Sequence, residues 1–418
     1  MASKANRQLP IKPGVVVVGI DVAKRRHVAV IRLPDGRFQR AFSFTNDRDG
    51  FAKLLERVAL ATAPGSFGEV RFGLEATGHY GHALQHFLLA RGAAVTSINP
   101  AHTRRVKELL DGSPEKSDPK DAALVAELVA QGRGRPLTMP MGVYAELRRL
   151  GKLREHLAVE RTRHQNRYHG LVDLVFPELE GLVHDVGCTS IRRLLAAYPT
   201  AVDVATGSCQ EICHLLWKAS IGHFGEARGR QIYEAAQRSV GVREGLLALR
   251  LQMRLALATL DSLAAQMVQV EQAQSDALAE IPYADRLLTI PGLGPVTVAT
   301  VLGETGDLRQ YGSAEALIKL AGLNLYSLSS GTFQGRTRIS KRGRPLLRRI
   351  LFLAALRMSK QGQPLAVFHD RLSERLAGPQ VGVAGCRKLL RLIYAIARDG
   401  VSYVPGRLAV TTPTQIAA

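Results

Sequence analysis

The chain has 418 residues, with 56 lysines and arginines against 36 aspartates and glutamates and a formal net charge of +20 at pH 7. A composition 46% hydrophobic and 22% charged supplies core for two or three domains and excludes a disordered, collagen-like or disulfide-scaffold chain. No apolar run approaches the roughly 18 residues of a membrane span, four scattered cysteines point to a reducing cytoplasm, and the positive excess points to a polyanion partner, most often nucleic acid.

In chain order, residues 1–12 read as a polar tail, and Pro10, Pro13 and Asp21 leave no signal-peptide core. Residues 15–20 form a β-branched run ending at Asp21. A second strand-like run covers 27–33, a turn follows at Pro34-Asp35-Gly36, and a third strand lies near 38–44. Helix is predicted over 51–60, strand over 70–75, helix over 79–90 and strand over 94–98, with two helices near 102–110 and 119–129. Three strands followed by alternating helix and strand form an α/β layer pattern. From about Val143 the character changes. Residues 143–175 and 241–280 are long, charged and rich in Leu and Ala, with helical apolar spacing such as Leu247, Leu251, Leu255, Leu260 and Leu263. They predict an antiparallel helical or coiled-coil insert, or an ordinary helical bundle. Residues 190–233, with Cys209, Cys213 and Trp217, read as a shorter helical lobe.

Two carboxylates close strand-like runs, Asp21 in Gly19-Ile20-Asp21 and Glu75 in Leu74-Glu75-Ala76-Thr77-Gly78. If those strands pair side by side, both acids sit at one sheet end, where ligand sites of α/β proteins lie. Asp118 and Asp121 are three apart at a helix start and project from one face. Four carboxylates at one point repel and require cations. Mg²⁺, a hard ion favouring oxygen, suits them, and two ions about 4 Å apart form the usual phosphoryl-transfer clamp. Each acid also has a plainer reading: Asp118 before Pro119 as an N-cap with Asp121 at the capping-box position, Asp21 as a turn opener, Glu75 as a lone exposed acid. Their joint placement favours the shared cleft.

Residues 316–369 hold ten Lys and Arg and no Asp or Glu. Within them, Ser327-Leu328-Ser329-Ser330-Gly331 precedes Arg336, Arg338, Lys341, Arg342, Arg344, Arg348 and Arg349. Such a field matches a phosphate backbone. A serine beside glycine is commonly a loop hydroxyl, yet a serine attacking a phosphodiester needs these guanidinium groups to stabilise charge on the phosphoryl oxygens. Residues 290–303, apolar then Pro-Gly-Leu-Gly-Pro then an apolar helix, resemble a helix-hairpin-helix turn that contacts phosphate, or form a tight helix–helix turn. His79, His82 and His86 share one helix face with no thiol nearby and with Glu75, the closest acid, already in the acidic set, and Cys209, Cys213 and His214 have no second pair at metal spacing. No Walker-type loop implies ATP.

Taken in order, Gly19-Ile20-Asp21-Val22-Ala23-Lys24, Glu75-Ala76-Thr77-Gly78-His79-Tyr80, Asn99-Pro100, Lys116-Ser117-Asp118-Pro119-Lys120-Asp121-Ala122, Ile290-Pro291-Gly292-Leu293-Gly294, Ala321-Gly322-Leu323-Asn324, Ser330-Gly331 and Arg338-Ile339-Ser340-Lys341-Arg342-Gly343 resemble the IS110 family of insertion-sequence transposases. The resemblance spans nearly the whole chain. It implies a ribonuclease-H-like (RuvC-like) α/β domain over 1–135, a helical coiled-coil spacer over 140–285 and a mainly α-helical transposase domain over 286–418. It further implies a Mg²⁺-holding tetrad of Asp21, Glu75, Asp118 and Asp121, with Ser330 as the nucleophile of a phosphoserine link to DNA. Dimers or tetramers in which one protomer's carboxylates approach another's serine are implied too. So are donor and target DNA, a structured noncoding RNA that pairs with both, and a bacterial cytoplasm, at the nucleoid when active. The chain departs from the family pattern in having Leu325 where proline is commoner and in placing Ser329 before Ser330, which leaves Ser329 and then Ser327 as other candidates for the attacking hydroxyl.

The expected function is therefore a DNA recombinase that moves its own element without ATP. The rivals are a junction-resolvase-type nuclease acting through water and a non-catalytic nucleic-acid-bridging protein.

Overall fold

The computed structural model describes residues 14–62, 69–75, 78–100, 103–106, 118–137, 139–327 and 337–405, together with the backbone of Ser329, Ser330, Phe333 and Gln334. The expected N-terminal tail, Gly331, Arg336 and most of the helix expected at 102–110 lie outside them, although 103–106 is helical. The chain divides into two compact units, Met1–Met139 and Pro140–Ala418.

In the first unit the β-branched run becomes β1 (Val16–Asp21), and the next becomes β2 (Arg26–Arg32). The polar stretch after it pairs only briefly, so the third strand is shorter than its sequence suggests: a single bridge joins Arg32 to Phe38, and β3 is Phe42–Thr45. Helix α1 (Arg48–Thr62) follows, then β4 (Val70–Glu75), α2 (His82–Leu89), β5 (Ala94–Ile98), α3 (Asp118–Ala130) and the short β6 (Arg135–Pro136). The sheet order is β3-β2-β1-β4-β5-β6. β2 pairs antiparallel with β1 on one side and with β3 on the other, whereas β4 lies parallel to β1 and β5 parallel to β4. The order of predicted elements gave an α/β layer pattern, and an antiparallel three-strand start extended by two parallel crossover strands fits the ribonuclease-H-like arrangement that the family resemblance implied. Helix covers each face. Leu54 and Val58 of α1 and Leu84 and Leu88 of α2 pack with Val16, Val18 and Ile20. Val125, Ala126 and Val129 of α3 pack with Val15, Val17 and Ile98.

The second unit is built on two long helices, α4 (Val143–Val175) and α10 (Leu246–Ala279). They run antiparallel: Leu147 shares a core with Leu278, Leu157 with Leu263 and Met267, and Val172 with Leu249 and Met253. The Arg154–Glu271 ion pair at 2.7 Å crosses between them. At one end, α5 (Leu179–Leu182), α6 (Thr189–Ala197), α7 (Ala201–Thr206), α8 (Cys209–Ala219) and α9 (Glu226–Gln237) form the helical lobe around Tyr168, Phe176, Ile191, Ile212 and Ile232. Thr200 and Asp203 form a capping box at the start of α7, and Arg250 of α10 holds that same Asp203 at 2.7 Å.

At the other end lie α11 (Ala284–Leu288), α12 (Pro295–Thr305), α13 (Ala314–Leu320), α14 (Pro345–Met358), α15 (Ala366–Ser373) and α16 (Gly378–Asp399). Their shared core includes Leu302, Leu317, Leu347, Leu351, Leu389 and Ile393. The 290–294 segment is a turn between α11 and α12, with Gly292 at φ +87° and Pro295 in the first turn of α12. Between α13 and α14 the chain forms two strand pairs nested in sequence. β7 (Leu325–Tyr326) pairs with β10 (Arg338–Ile339), and β8 (Ser329–Ser330) with β9 (Phe333–Gln334). Runs of two residues are too short to show a period, so the sequence does not announce them. No described helix is long and apolar enough to cross a membrane.

Candidate active site

Strand parity decides where the first two acids lie. Val18 and Ile20 of β1 and Phe72 and Leu74 of β4 belong to the core under α1 and α2. The alternate residues Gly19, Asp21, Gly73 and Glu75 therefore fall on the opposite face, which α3 covers. Gly19 and Gly73 are register partners, as are Ile20 and Leu74, so Asp21 and Glu75 follow side by side at the carboxyl ends of parallel strands. A methyl group on Gly19 would overlap the Ala122 carbonyl oxygen and the Ala126 backbone nitrogen, and one on Gly73 would stand 2.6 Å from Val129 Cγ2. Two neighbouring strands thus lack side chains where α3 crosses, and the helix rests directly on backbone. The Arg32–Glu127 ion pair at 2.8 Å adds a link from β2 to α3. Asp118 and Asp121 lie in the first turn of that helix, where the helix dipole favours negative charge.

The electrostatics of Asp21 report the convergence. Its carboxyl is half-buried and holds its proton more tightly than an ordinary aspartate. Burial is the largest cause, followed by the negative charges of Asp118, Asp121 and Glu75, while a hydrogen bond from the Val22 backbone N–H acts the other way. All four predicted acids are thereby brought into one electrostatic neighbourhood. Among the described residues, however, no three His, Cys, Asp or Glu side chains form a group that could hold an ion as they stand. The same holds for His79, His82 and His86 and for Cys209, Cys213 and His214. The donor set is nonetheless all carboxylate oxygen, and the mutual repulsion felt at Asp21 is what a hard divalent cation relieves.

The loops behind these acids are held by residues that the sequence reading did not single out. The Asn46 side-chain amide donates to the carbonyls of Lys24 at 3.3 Å and Tyr80 at 3.2 Å, and its backbone N–H donates to Arg25 at 3.0 Å. His27 is fully buried, stacked on Phe51 and edge-on to Phe44, and its Nδ1 accepts the Ala23 N–H at 3.2 Å. Burial pushes the His27 imidazole down, toward its neutral form. A polar residue at a strand position whose neighbours alternate into the core was the available signal.

The predicted nucleophile and most of the predicted cations belong to the second unit. The backbone of Ser330 lies in β8 opposite Phe333, and the backbone of Ser329 lies opposite Gln334; the hydroxyls of both serines lie outside the described atoms. The Ala321-Gly322-Leu323-Asn324 and Arg338–Gly343 motifs, far apart in sequence, dock on one another. Ser340 N–H donates to the Asn324 carbonyl at 2.9 Å, Lys341 N–H to Gly322 at 3.0 Å and Arg344 N–H to Leu320 at 2.8 Å. Gly322 has φ +70°, and a methyl on Gly343 would overlap the Gly322 nitrogen, so both glycines are required by the close approach of two backbones.

This docking divides the basic residues. Arg338, Lys341 and Arg342 are exposed, with Lys341 at φ +52°. Arg344 donates to the Glu304 carbonyl, with the Glu304 carboxylate 3.8 Å away, Arg348 donates to the Ala321 carbonyl at 2.9 Å, and Arg349 pairs with Glu155.

Comparison with known proteins places both units. Residues 18–177 match the model of the DEDD transposases of the IS110 type, and residues 284–369 match the transposase model of the IS116/IS110/IS902 family. Over 93% of its length the chain is 25% identical to an insertion element IS110 protein of 43.6 kDa from Streptomyces coelicolor, 95% of which is covered. It is 30% identical over 142 residues, 33% of the chain and 42% of the relative, to the transposase for insertion sequence element IS1328 of Yersinia enterocolitica. It is 24% identical over 91% of the chain, covering 95% of the relative, to the pilin gene-inverting protein of Moraxella lacunata. The solved RuvC of T. thermophilus, in complex with a Holliday junction substrate, is similar over 29% of this chain and 99% of that one at 15% identity and a TM-score of 0.22. With both models matched in the order of the motifs, one in each unit, the chain belongs to the IS116/IS110/IS902 family of insertion-sequence transposases.

Proposed function

We propose that this transposase cuts and rejoins DNA through a covalent phosphoserine at Ser330, assisted by Asp21, Glu75, Asp118 and Asp121. The observation that carries the reading is the clustering of charge around Asp21, whose ionisation is made more costly by burial and by the neighbouring charges of Asp118, Asp121 and Glu75. The four carboxylates would hold Mg²⁺, as two ions, and the bound metal would polarise the phosphodiester and stabilise the leaving oxygen. In the transfer itself the Ser330 hydroxyl loses its proton and forms a bond to phosphorus. One deoxyribose oxygen leaves and takes up a proton, and a second deoxyribose hydroxyl reverses the step. One phosphoester replaces another throughout, so no nucleotide cofactor is needed. Exposed Arg338, Lys341 and Arg342, together with Arg336, would bind the phosphates, while Arg344 and Arg348 hold the loop in shape and Arg349 pairs with Glu155 of α4.

Within the second unit we assign residues 140–285 to a coiled-coil spacer built on α4 and α10, and residues 286–418 to the transposase domain with its helix-hairpin-helix-like turn. The working form would be a dimer or tetramer acting in the bacterial cytoplasm at the nucleoid. Donor and target DNA are chosen in part by a structured noncoding RNA.

A trapping assay tests the mechanism. Protein, the element's noncoding RNA, Mg²⁺ and labelled donor and target DNA are resolved on a denaturing gel. We expect a slow protein–DNA band that is lost in Ser330→Ala and in Asp21→Asn. Free cleaved ends without that band, surviving Ser330→Ala but lost in Asp21→Asn, would establish a water-dependent nuclease instead.

A further inference from the structure

The two loops that leave the strand-end acids are joined by a single side chain. Asn46, just after β3, uses both hydrogens of its amide nitrogen. One goes to Lys24, three residues beyond Asp21, and the other to Tyr80, five residues beyond Glu75. Its remaining atom, Oδ1, is buried and unpaired among the described residues, as is Nε2 of His27. His27 takes the Ala23 N–H on Nδ1, so a neutral ring carries its proton on Nε2 and is a donor there. Asn46 is the neighbour whose side chain faces that ring. The two unpaired atoms are thus a donor and an acceptor of opposite need in one buried place.

Closing that last contact gives a continuous chain: Ala23 N–H to His27 Nδ1, His27 Nε2–H to Asn46 Oδ1, and Asn46 Nδ2–H to Lys24 and Tyr80. Phe44 and Phe51 fix the imidazole from the sides, with ring centroids 5.2 and 6.3 Å away. Gly81 contributes a second contact between the loops, since any side chain there would meet Val22 at 3.3 Å.

We propose that Asn46 and His27 are positioning residues that set the separation of Asp21 and Glu75 and so prepare the acidic cluster for a divalent cation. The proposal rests on the carboxylate reading above. Neither residue touches the ion. Each acts through loop backbone, in the way that outer hydrogen-bond partners commonly govern metal affinity by 10–100-fold.

The test is a titration of the full-length chain with Mn²⁺, followed by the electron paramagnetic resonance of the free ion, with wild type, Asp21→Asn, Asn46→Ala, Asn46→Asp and His27→Phe in parallel. Asn46→Asp keeps the shape and the acceptor while removing both donors, and His27→Phe keeps the stacking while removing the polar link. Far-ultraviolet circular dichroism restricts the comparison to folded variants, and Asn46→Asp serves if Asn46→Ala does not fold. We expect wild type to bind, Asp21→Asn to lose binding, and the folded Asn46 and His27 variants to bind roughly 10-fold or more weakly. Wild-type affinity in folded Asn46→Asp and His27→Phe would overturn the positioning role while leaving the carboxylate reading intact. No Mn²⁺ binding by wild type would overturn both.

Discussion

In the proposed site Asp21 serves function at the expense of the fold. Burial and three neighbouring carboxylates raise its proton affinity above that of the unfolded chain. Its ionisation therefore opposes folding at neutral pH, and the opposition fades as the pH falls through the folded-state range and the carboxyl protonates. Asp21→Asn in EDTA is expected to melt above wild type at pH 7. The difference should shrink toward pH ~4, near the ordinary aspartate range. Differential scanning fluorimetry across that interval checks it, and a variant less stable than wild type at pH 7 would show that the neighbouring charges are not felt. The same change is expected to lower Mg²⁺-dependent cleavage by at least ~10²-fold, the loss typical of removing a preorganised charge-stabilising group. Asp21 and Glu75 were legible as candidates because each closes a β-branched or apolar run. Asn46 was not, because an Asn between Thr45 and Asp47 reads as an ordinary turn residue.

At the scale of elements, the contact of α3 with β1 and β4 places half of the acidic cluster. It depends on the absence of side chains at Gly19 and Gly73, which are partners across parallel strands. Gly19→Ala puts a methyl group into the backbone of α3 at Ala122 and Ala126, and the helix must move. We expect a loss of about 1–3 kcal/mol in urea unfolding, the usual cost of overpacking, together with weaker Mn²⁺ binding because Asp118 and Asp121 move with the helix. Unchanged stability would mean that α3 does not rest on the strand. Glycine inside an apolar strand is a signal of close backbone approach, but not of which element approaches. The long helices were legible for the opposite reason, since more than thirty residues of apolar periodicity in each of α4 and α10 leave little ambiguity.

At the scale of the whole molecule, a net charge of +20 predicts nucleic-acid binding but does not say which cations contact it. The second unit sorts them. Arg344 and Arg348 are half-buried and donate to the Glu304 and Ala321 carbonyls, Arg349 is exposed but paired with Glu155, and Lys341 and Arg342 are exposed. Lys341→Gln and Arg342→Gln are each expected to weaken duplex DNA binding and to reduce the slope of log affinity against log salt by about 1. Arg348→Gln should chiefly lower the melting temperature. Fluorescence anisotropy over a KCl series distinguishes these outcomes, and an unchanged slope in Lys341→Gln and Arg342→Gln would remove both from the phosphate path.

What the sequence by itself determined was local. Strands follow from β-branched runs bounded by turn residues and helices from the 3.6-residue period, the candidate acids from their places at the ends of elements, and the family from motifs in a fixed order. What only the tertiary structure decided was which residues meet. The acids converge because β4 inserts beside β1, parity turns Asp21 and Glu75 toward α3, and two glycines let that helix descend. The two-residue strands around Ser330, the docking of Gly322 on Gly343 and the hydrogen bonds of Asn46 across two loops lie equally outside local reach. Apart from the short β8–β9 hairpin, each is a contact between segments separated in sequence, and such contacts are selected by the packing of the folded chain rather than by the preference of any short stretch of it.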